Sequence, residues 1–260
     1  ITFFNENFIT NMRFEILKEV IDRFIVCESI FDHRGNKKKI NFKLDNESFK
    51  DKVIHLIHDK PFKNQNDIWK NQAEQREYIF NALNKADKND YIMFSDPDEI
   101  PNPEILKKIN LKKKYGIFLQ NMYCYKFNLL NEYESPWEGT RICKKKDLSS
   151  IDFIRQKIIK KNLSQPFWKF YKEKSIEIFD DGGWHFNSLL TPEEISLKLK
   201  TFAHTEFAKP EYSNLEIIKK NIEQKRDLFK RNHEYKKVDL DNTYPKYILN
   251  NKEKLNYWIL

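Results

Sequence analysis

Short apolar runs separated by polar stretches of helical periodicity recur through the first hundred residues. Ile1-Thr2-Phe3-Phe4 is β-prone and leads into Asn5-Glu6-Asn7, residues that suit a turn and a helix entry. Phe14, Leu17 and Ile21, with Ile16 and Val20 beside them, predict one apolar helical face over residues 12–21. Residues 23–27 read as a buried strand that delivers Glu28 and Ser29 to its C-terminal end, and residues 53–57 as a third strand. Trp69, Ala73, Arg76, Phe80 and Leu83 predict a long amphipathic helix over residues 68–86. A fourth strand, residues 91–94, runs directly into Ser95-Asp96-Pro97-Asp98-Glu99-Ile100-Pro101. Such alternation predicts an α/β fold: a mixed, mostly parallel sheet with helices on its faces.

The second half is less regular. Residues 116–130 predict an aromatic-rich strand pair, and residues 141–143 and 174–179 further strands. Thr191-Pro192-Glu193-Glu194 is a strong helix start, with Thr as N-cap, Pro in the first turn and Glu three residues on. A charged amphipathic helix is expected over residues 214–231. With no repeat, low-complexity tract or Gly/Ser linker, one domain over residues 1–260 is expected.

Composition narrows the class. Hydrophobic residues at 40% and aromatics at 15% exclude a disordered tail, and 5 glycines and 9 prolines exclude collagen-like chains. No apolar run approaches the ~18 residues of a membrane span. The N-terminus lacks the order of a secretory signal, so a soluble protein is expected. Cys27, Cys124 and Cys143 form no Cys-x-x-Cys and no paired framework, which predicts a reducing compartment. Lys plus Arg number 47 against 39 Asp plus Glu, a net charge of +8. That surplus favours anionic partners and keeps open a basic nucleic-acid-binding module. The lysines are spread along the chain beside Asn and Ile, however, as an AT-rich genome alone would produce.

Chemistry should sit beyond the carboxyl ends of the strands. Asp96-Pro97-Asp98-Glu99 occupies that place after the fourth strand. Carboxylates at i and i+2 in an extended turn can converge on Mg²⁺ or Mn²⁺, hard cations that share phosphate oxygens with a nucleotide. They can equally cap the turn before a helix starting near Pro103. Gly182-Gly183-Trp184-His185-Phe186 offers an imidazole beside two glycines, either a Mn²⁺ ligand or a satisfied core histidine. An Asp-x-Asp metal site would also serve phosphoryl transfer or hydrolysis. The absence of Gly-x-Gly-x-x-Gly, P-loop and Gly-x-Ser-x-Gly motifs argues against dinucleotide oxidoreductases, P-loop NTPases and α/β-hydrolases.

Thr2-Phe3-Phe4-Asn5-Glu6, residues 24–29, Trp69 with Arg76, Asp96-Pro97-Asp98-Glu99-Ile100-Pro101, Gly183-Trp184-His185 with Thr191-Pro192-Glu193, and Pro245-Lys246-Tyr247-Ile248-Leu249 occur in this order. Together they resemble glycosyltransferase family 17, the β-1,4-mannosyl-glycoprotein β-1,4-N-acetylglucosaminyltransferase family. The resemblance implies a GT-A-like α/β/α sandwich, with a nucleotide-binding half over 1–115 and an acceptor-side half over 116–260. It implies an inverting transfer of a sugar, GlcNAc by family, from a UDP-sugar to a glycan hydroxyl, with Mn²⁺ or Mg²⁺ as cofactor and no nucleic acid as partner. By position, Asp96, Asp98 and His185 would form the metal site, with Asp98 the direct ligand and Asp96 the contact to ribose or metal-bound water. Phe3, Asn5 and Glu28 would meet uracil and ribose, and Arg76 the diphosphate. Glu206 is the expected base, with Asp181 and Glu138 as alternatives. The sequence as given shows no membrane anchor or stem like those of the animal Golgi enzymes, so the acceptor stays open among an N-glycan, a lipid-linked or free oligosaccharide and a surface polysaccharide. The compartment stays open too, with the cytoplasm favoured over the Golgi for a microbial or viral relative, and so does a leader or anchor ahead of Ile1.

Overall fold

The structure is a computed structural model that describes residues 1–64, 67–201 and 205–260. Strand β1 (Thr2–Phe3) and β3 (Val53–His58) flank β2 (Phe24–Ser29) in a three-stranded parallel sheet. Helix α1 (Asn7–Leu17) joins β1 to β2 and α2 (Ile68–Tyr78) follows β3. The larger sheet begins with β4 (Tyr91–Phe94) and β5 (Glu99–Pro101), after which comes the single turn α3 (Pro103–Leu106). Its spine is β6 (Tyr115–Cys124), followed by β7 (Leu129–Leu130) and β8 (Trp137–Lys144). Helix α4 (Ile151–Lys157), β9 (Ile176–Phe179) and β10 (Gly183–Asn187) come next. The chain ends with α5 (Pro192–Thr201), α6 (Pro210–Ser213), α7 (Leu215–Glu223), β11 (Lys236–Lys237) and α8 (Lys246–Asn250).

The α/β class and mixed sheet are as expected, but parallel pairing is less general than the alternation suggests. Within the larger sheet β6 pairs in parallel with β9 through its first half and with β10 through its second. Antiparallel pairs join β6 to β7 and β8, β8 to β4, β10 to β5, and β7 to β11. Short connections link β6, β7 and β8, and such loops return a strand beside its predecessor rather than crossing over. Three apolar clusters fill the interior, and the largest packs α1 and α8 against both sheets around Phe14, Phe118, Phe127 and Phe186. Cys27, Cys124 and Cys143 are buried free thiols, as their spacing predicts. Among the described residues no helix is long and apolar enough to cross a membrane.

Helix boundaries shift where buried polar side chains, invisible to an apolar count, decide the packing. Helix α1 starts at Asn7 rather than Met12, because Asn7 Nδ2 donates to the Asn41 carbonyl at 2.8 Å and Asn11 Nδ2 to that of Lys43 at 2.9 Å. Helix α2 buries Asn71, Gln75 and Arg76, while Trp69 is 52% exposed. Gln75 Nε2 donates to the Cys27 carbonyl at 2.9 Å, docking α2 on β2 through amides. The predicted helix over 214–231 stops at Glu223, and Lys225 then adopts φ 56°. Beyond it the Asp227 carboxylate accepts from the backbone N–H of Phe229 and Arg231 and from the Arg231 guanidinium, holding a loop instead. At Thr191 the expected capping box forms: Glu194 N–H donates to Thr191 Oγ1 at 3.3 Å and Thr191 N–H to Glu194 Oε2 at 2.9 Å.

Glu28 ends β2 fully buried with four donors. Its Oε1 accepts from Lys38 Nζ and Asn41 N–H, its Oε2 from Phe42 N–H and His55 Nε2. Burial raises the carboxyl, but the bonds from His55, Lys38 and the two amides outweigh it and leave the group below its ordinary value. A carboxylate depressed on folding contributes stability that is present above its unfolded pKa and lost as pH falls through the folded one. Glu28→Gln should cost about 1–3 kcal/mol at neutral pH, and the gap to wild type should close as pH drops below about 4.5. Urea unfolding midpoints across pH 3–7 check this. Gly183 has φ +129°, and a Cβ there would meet the Ile100 carbonyl oxygen at 2.1 Å. Gly183→Ala should therefore destabilise the β5–β10 pairing by about 2–4 kcal/mol, read from the same unfolding curves.

Candidate active site

Two strand pairings assemble the site. The turn after β4 places Ser95, Asp96, Pro97 and Asp98 ahead of β5, with Glu99 N–H donating to the Asp96 carbonyl at 3.1 Å. Strand β10 then lies antiparallel to β5 with His185 opposite Glu99, while Phe186 N–H donates to the Asp98 carbonyl at 2.9 Å. That register brings His185 Nε2 to 3.5 Å from Asp98 Oδ1, and Lys198 of α5 reaches Asp98 Oδ2 at 3.9 Å. The Trp137 ring, 5.2 Å away by centroids, packs against the imidazole. His185 Nδ1 is buried and finds no hydrogen-bond partner among the described residues.

Guanidinium groups hold the neighbouring acids. Arg155 of α4 contacts Asp96 Oδ2 and donates to Glu99 Oε1 at 2.9 Å. Glu99 also accepts from Trp137 Nε1 at 2.8 Å and from Asp96 N–H at 3.1 Å. Arg13 of α1 donates to the Glu99 carbonyl and to Ser95 Oγ, and Ser95 Oγ lies 2.7 Å from Thr140 Oγ1. Burial lowers Arg13 to about 10, against the pull of Glu99, Asp98 and Asp96. For Asp96, burial pushes the pKa up, but Arg155, then Arg76 and His185, prevail and keep it below the carboxylate range. Burial likewise opposes ionisation of Asp98, yet His185 and Lys198 hold it well below that range. Burial lowers His185, but Asp98 chiefly raises it above an ordinary imidazole. The Asp98 side chain is 15% exposed and that of Asp96 29%, whereas Glu99 is sealed at 1%, so the two aspartates can meet a ligand and Glu99 braces them.

The other expected residues divide between the site and the scaffold. Asn5 borders a water-sized surface recess with Phe4, Glu194 and Lys198, and Lys198 also approaches Asp98. Phe3 is buried in the core with its ring edge-on to Phe42, and the four bonds to Glu28 serve the scaffold. Arg76 is buried and paired with Asp152 at 2.9 Å. The carbonyl of Glu138 accepts from Arg141 and Arg155, while its Oε2 accepts from Lys160 N–H at 2.9 Å. Asp181 is exposed in the turn between β9 and β10 at φ 49°, its carbonyl held by Asn102. Glu206 is exposed in a 3-10 segment, Thr205–Ala208, beside α5. His204, two residues before Glu206, lies outside the described residues.

Arg155, Lys198, Trp137 and Glu99 were not anticipated as site residues. Ser150, whose Oγ accepts from Phe153 N–H at 2.9 Å, is a legible N-cap for α4, but no sequence spacing relates Arg155 to an aspartate 59 positions away.

Among the described residues no three His, Cys, Asp or Glu side chains converge on a common metal position. Asp98 and His185 do supply a pair. Donors about 2.1 Å from one cation stand roughly 3.0–3.5 Å apart, and Asp98 Oδ1 and His185 Nε2 match the upper end of that interval. One carboxylate and one imidazole suit a cation whose other positions are filled by diphosphate oxygens and water.

The family model for glycosyltransferase family 17 matches residues 1–259. Comparison with curated proteins and with solved structures finds no match. Since the match spans all but the last residue, the chain belongs to glycosyltransferase family 17.

Proposed function

We propose that this glycosyltransferase is a metal-dependent, inverting enzyme of GT-A type that moves GlcNAc from UDP-GlcNAc to a glycan hydroxyl. The observation that carries this reading is the apposition of Asp98 and His185, with the Lys198 ammonium close to the same carboxylate. Asp98 and His185 would hold Mn²⁺ or Mg²⁺, which when bound offsets the charge of the diphosphate and of the departing UDP. Lys198, 27% exposed, can turn from Asp98 toward a phosphate oxygen. Asp96, fixed by Arg155, presents its free oxygen to the ribose or to ordered water.

Inversion requires a base on the acceptor side that takes the proton of the attacking hydroxyl as the glycosidic bond to UDP breaks. Glu206 is the proposed base, being exposed beside the helix that carries Lys198. Glu138 is an alternative, since its side chain is 34% exposed and Arg155 binds its carbonyl. Asp181 sits in the turn before β10, two residues ahead of its first residue Gly183 and four ahead of His185, and is weaker on this geometry.

Binding of UDP-GlcNAc measured by calorimetry should require Mn²⁺ in wild type and be lost in Asp98→Ala. Metal-independent binding unaffected by that substitution rules the reading out. Glu206→Gln should leave donor binding intact and lower kcat by about 10²–10⁴-fold, measured against an acceptor library, with proton NMR reporting the product anomer. A full effect at Glu138→Gln with none at Glu206→Gln would transfer the role to Glu138. Arg155→Lys should retain the fold but weaken donor binding at least severalfold, because lysine cannot bridge Asp96 and Glu99 as the planar guanidinium does.

A further inference from the structure

The segment that follows α4 leaves four aromatic side chains in solvent: Phe167 is 84% exposed, Trp168 63%, Phe170 89% and Tyr171 69%. Aromatic side chains bury 150–250 Å² each when covered, so the patch exposes on the order of 500 Å², the upper end for a monomer's largest apolar patch. The loop is not loosely tethered. Lys174 Nζ donates to the carbonyls of Gln165 and Pro166 at 2.8 and 2.9 Å, and Asn162 Nδ2 to that of Lys157 at 2.7 Å. Turns closed by Lys169 N–H on Pro166 and Lys172 N–H on Lys169 fix the tip. The rings project because the backbone holds them there.

Charge selects the occupant. From residue 157 to 174 the chain carries six lysines and one acid, Glu173, which lies 3.9 Å from Lys114. Lys157, Lys160 and Lys161 are exposed on the approach to the aromatic tip, and Lys169 and Lys172 alternate with its rings. Two copies of so basic a loop repel one another, which disfavours self-association. Aromatic rings flanked by ammonium groups match the interface of an anionic bilayer, where rings enter the headgroup layer and lysines meet lipid phosphate and carboxylate groups.

We propose that the 157–174 loop docks this enzyme peripherally on anionic membranes. The docking stands apart from the donor chemistry. It also orients the site, because Lys160 N–H is bonded to Glu138 and the loop continues from the helix that carries Arg155, so the bilayer lies on that side of the molecule.

The test is flotation of the full chain with vesicles of phosphatidylcholine alone or mixed with phosphatidylserine. Binding to the mixed vesicles, reversed by added salt, is expected, with little binding to the neutral ones. Brominated lipids should quench tryptophan fluorescence in wild type, and Trp168→Phe should abolish most of that quenching. The combined variant Phe167→Ser, Trp168→Ser, Phe170→Ser, Tyr171→Ser should keep the wild-type thermal midpoint and UDP-GlcNAc affinity but lose vesicle binding. Lys161→Glu and Lys172→Glu should each weaken binding by at least about fivefold. Equal binding to neutral vesicles, binding that survives the fourfold variant, or a dimer in sedimentation velocity that the fourfold variant dissociates in place of any vesicle binding would each overturn the proposal. The quenching measurement on wild type decides the matter even if the fourfold variant does not fold.

Discussion

Charge compensation across distant segments makes the acidic turn after β4 possible. Asp96, Asp98 and Glu99 stand within four residues of one another, and three like charges so close cannot all be ionised in a partly buried place without cations at hand. The cations come from α1, α4 and α5, as Arg13, Arg155 and Lys198, and β10 adds the His185 imidazole. Each is brought in by a different packing contact, so the fold and the electrostatics of the site depend on each other. Glu99 carries the burden of that coupling, sealed between Arg155, Trp137 and the Asp96 amide.

The consequence is a graded set of carboxylates. Glu99 is enclosed and structural, Asp96 is braced by Arg155 yet reachable, and among the described residues the Asp98 side chain pairs with His185 and Lys198. An acid whose partners are an imidazole and a distant, partly exposed lysine is the one best suited to exchange them for a metal and a diphosphate, as the proposed reading requires. Membership of the family and this gradation both support the proposed reading.

Loop chemistry elsewhere separates scaffold from surface. Asn7, Asn11 and Glu28 use their polar groups inward, on the segment 41–45 and its approach, fixing chain that contains no regular strand. The 157–174 loop does the reverse: its backbone and Lys174 bond inward and its aromatic rings face out. Outward rings held by a fixed backbone have a use only when something covers them.

The α/β class, most of the strands, the capping box at Thr191 and the acidic turn were readable from sequence, because short apolar runs, N-cap residues and Asp-Pro turns act through local geometry; β5 and β10, which assemble the site, were not. The ordered motifs were enough to indicate the family, and Asp98 and His185 were recognised as candidates that the structure does bring together. Register was not readable: β5 meets β10, and β6 meets both β9 and β10, through contacts 60 or more residues apart that no local period encodes. Nor was the burial of α2 through Gln75 and Arg76 rather than Trp69, since amides and a guanidinium can replace apolar contacts once partners exist. Sequence by itself determined the fold class, most of the strands and which acids lie at a strand end. Tertiary structure alone decided that Arg155 neutralises Asp96 and Glu99 while Asp98 faces His185, because Coulomb and hydrogen-bond partners are set by distance in space and not by distance along the chain.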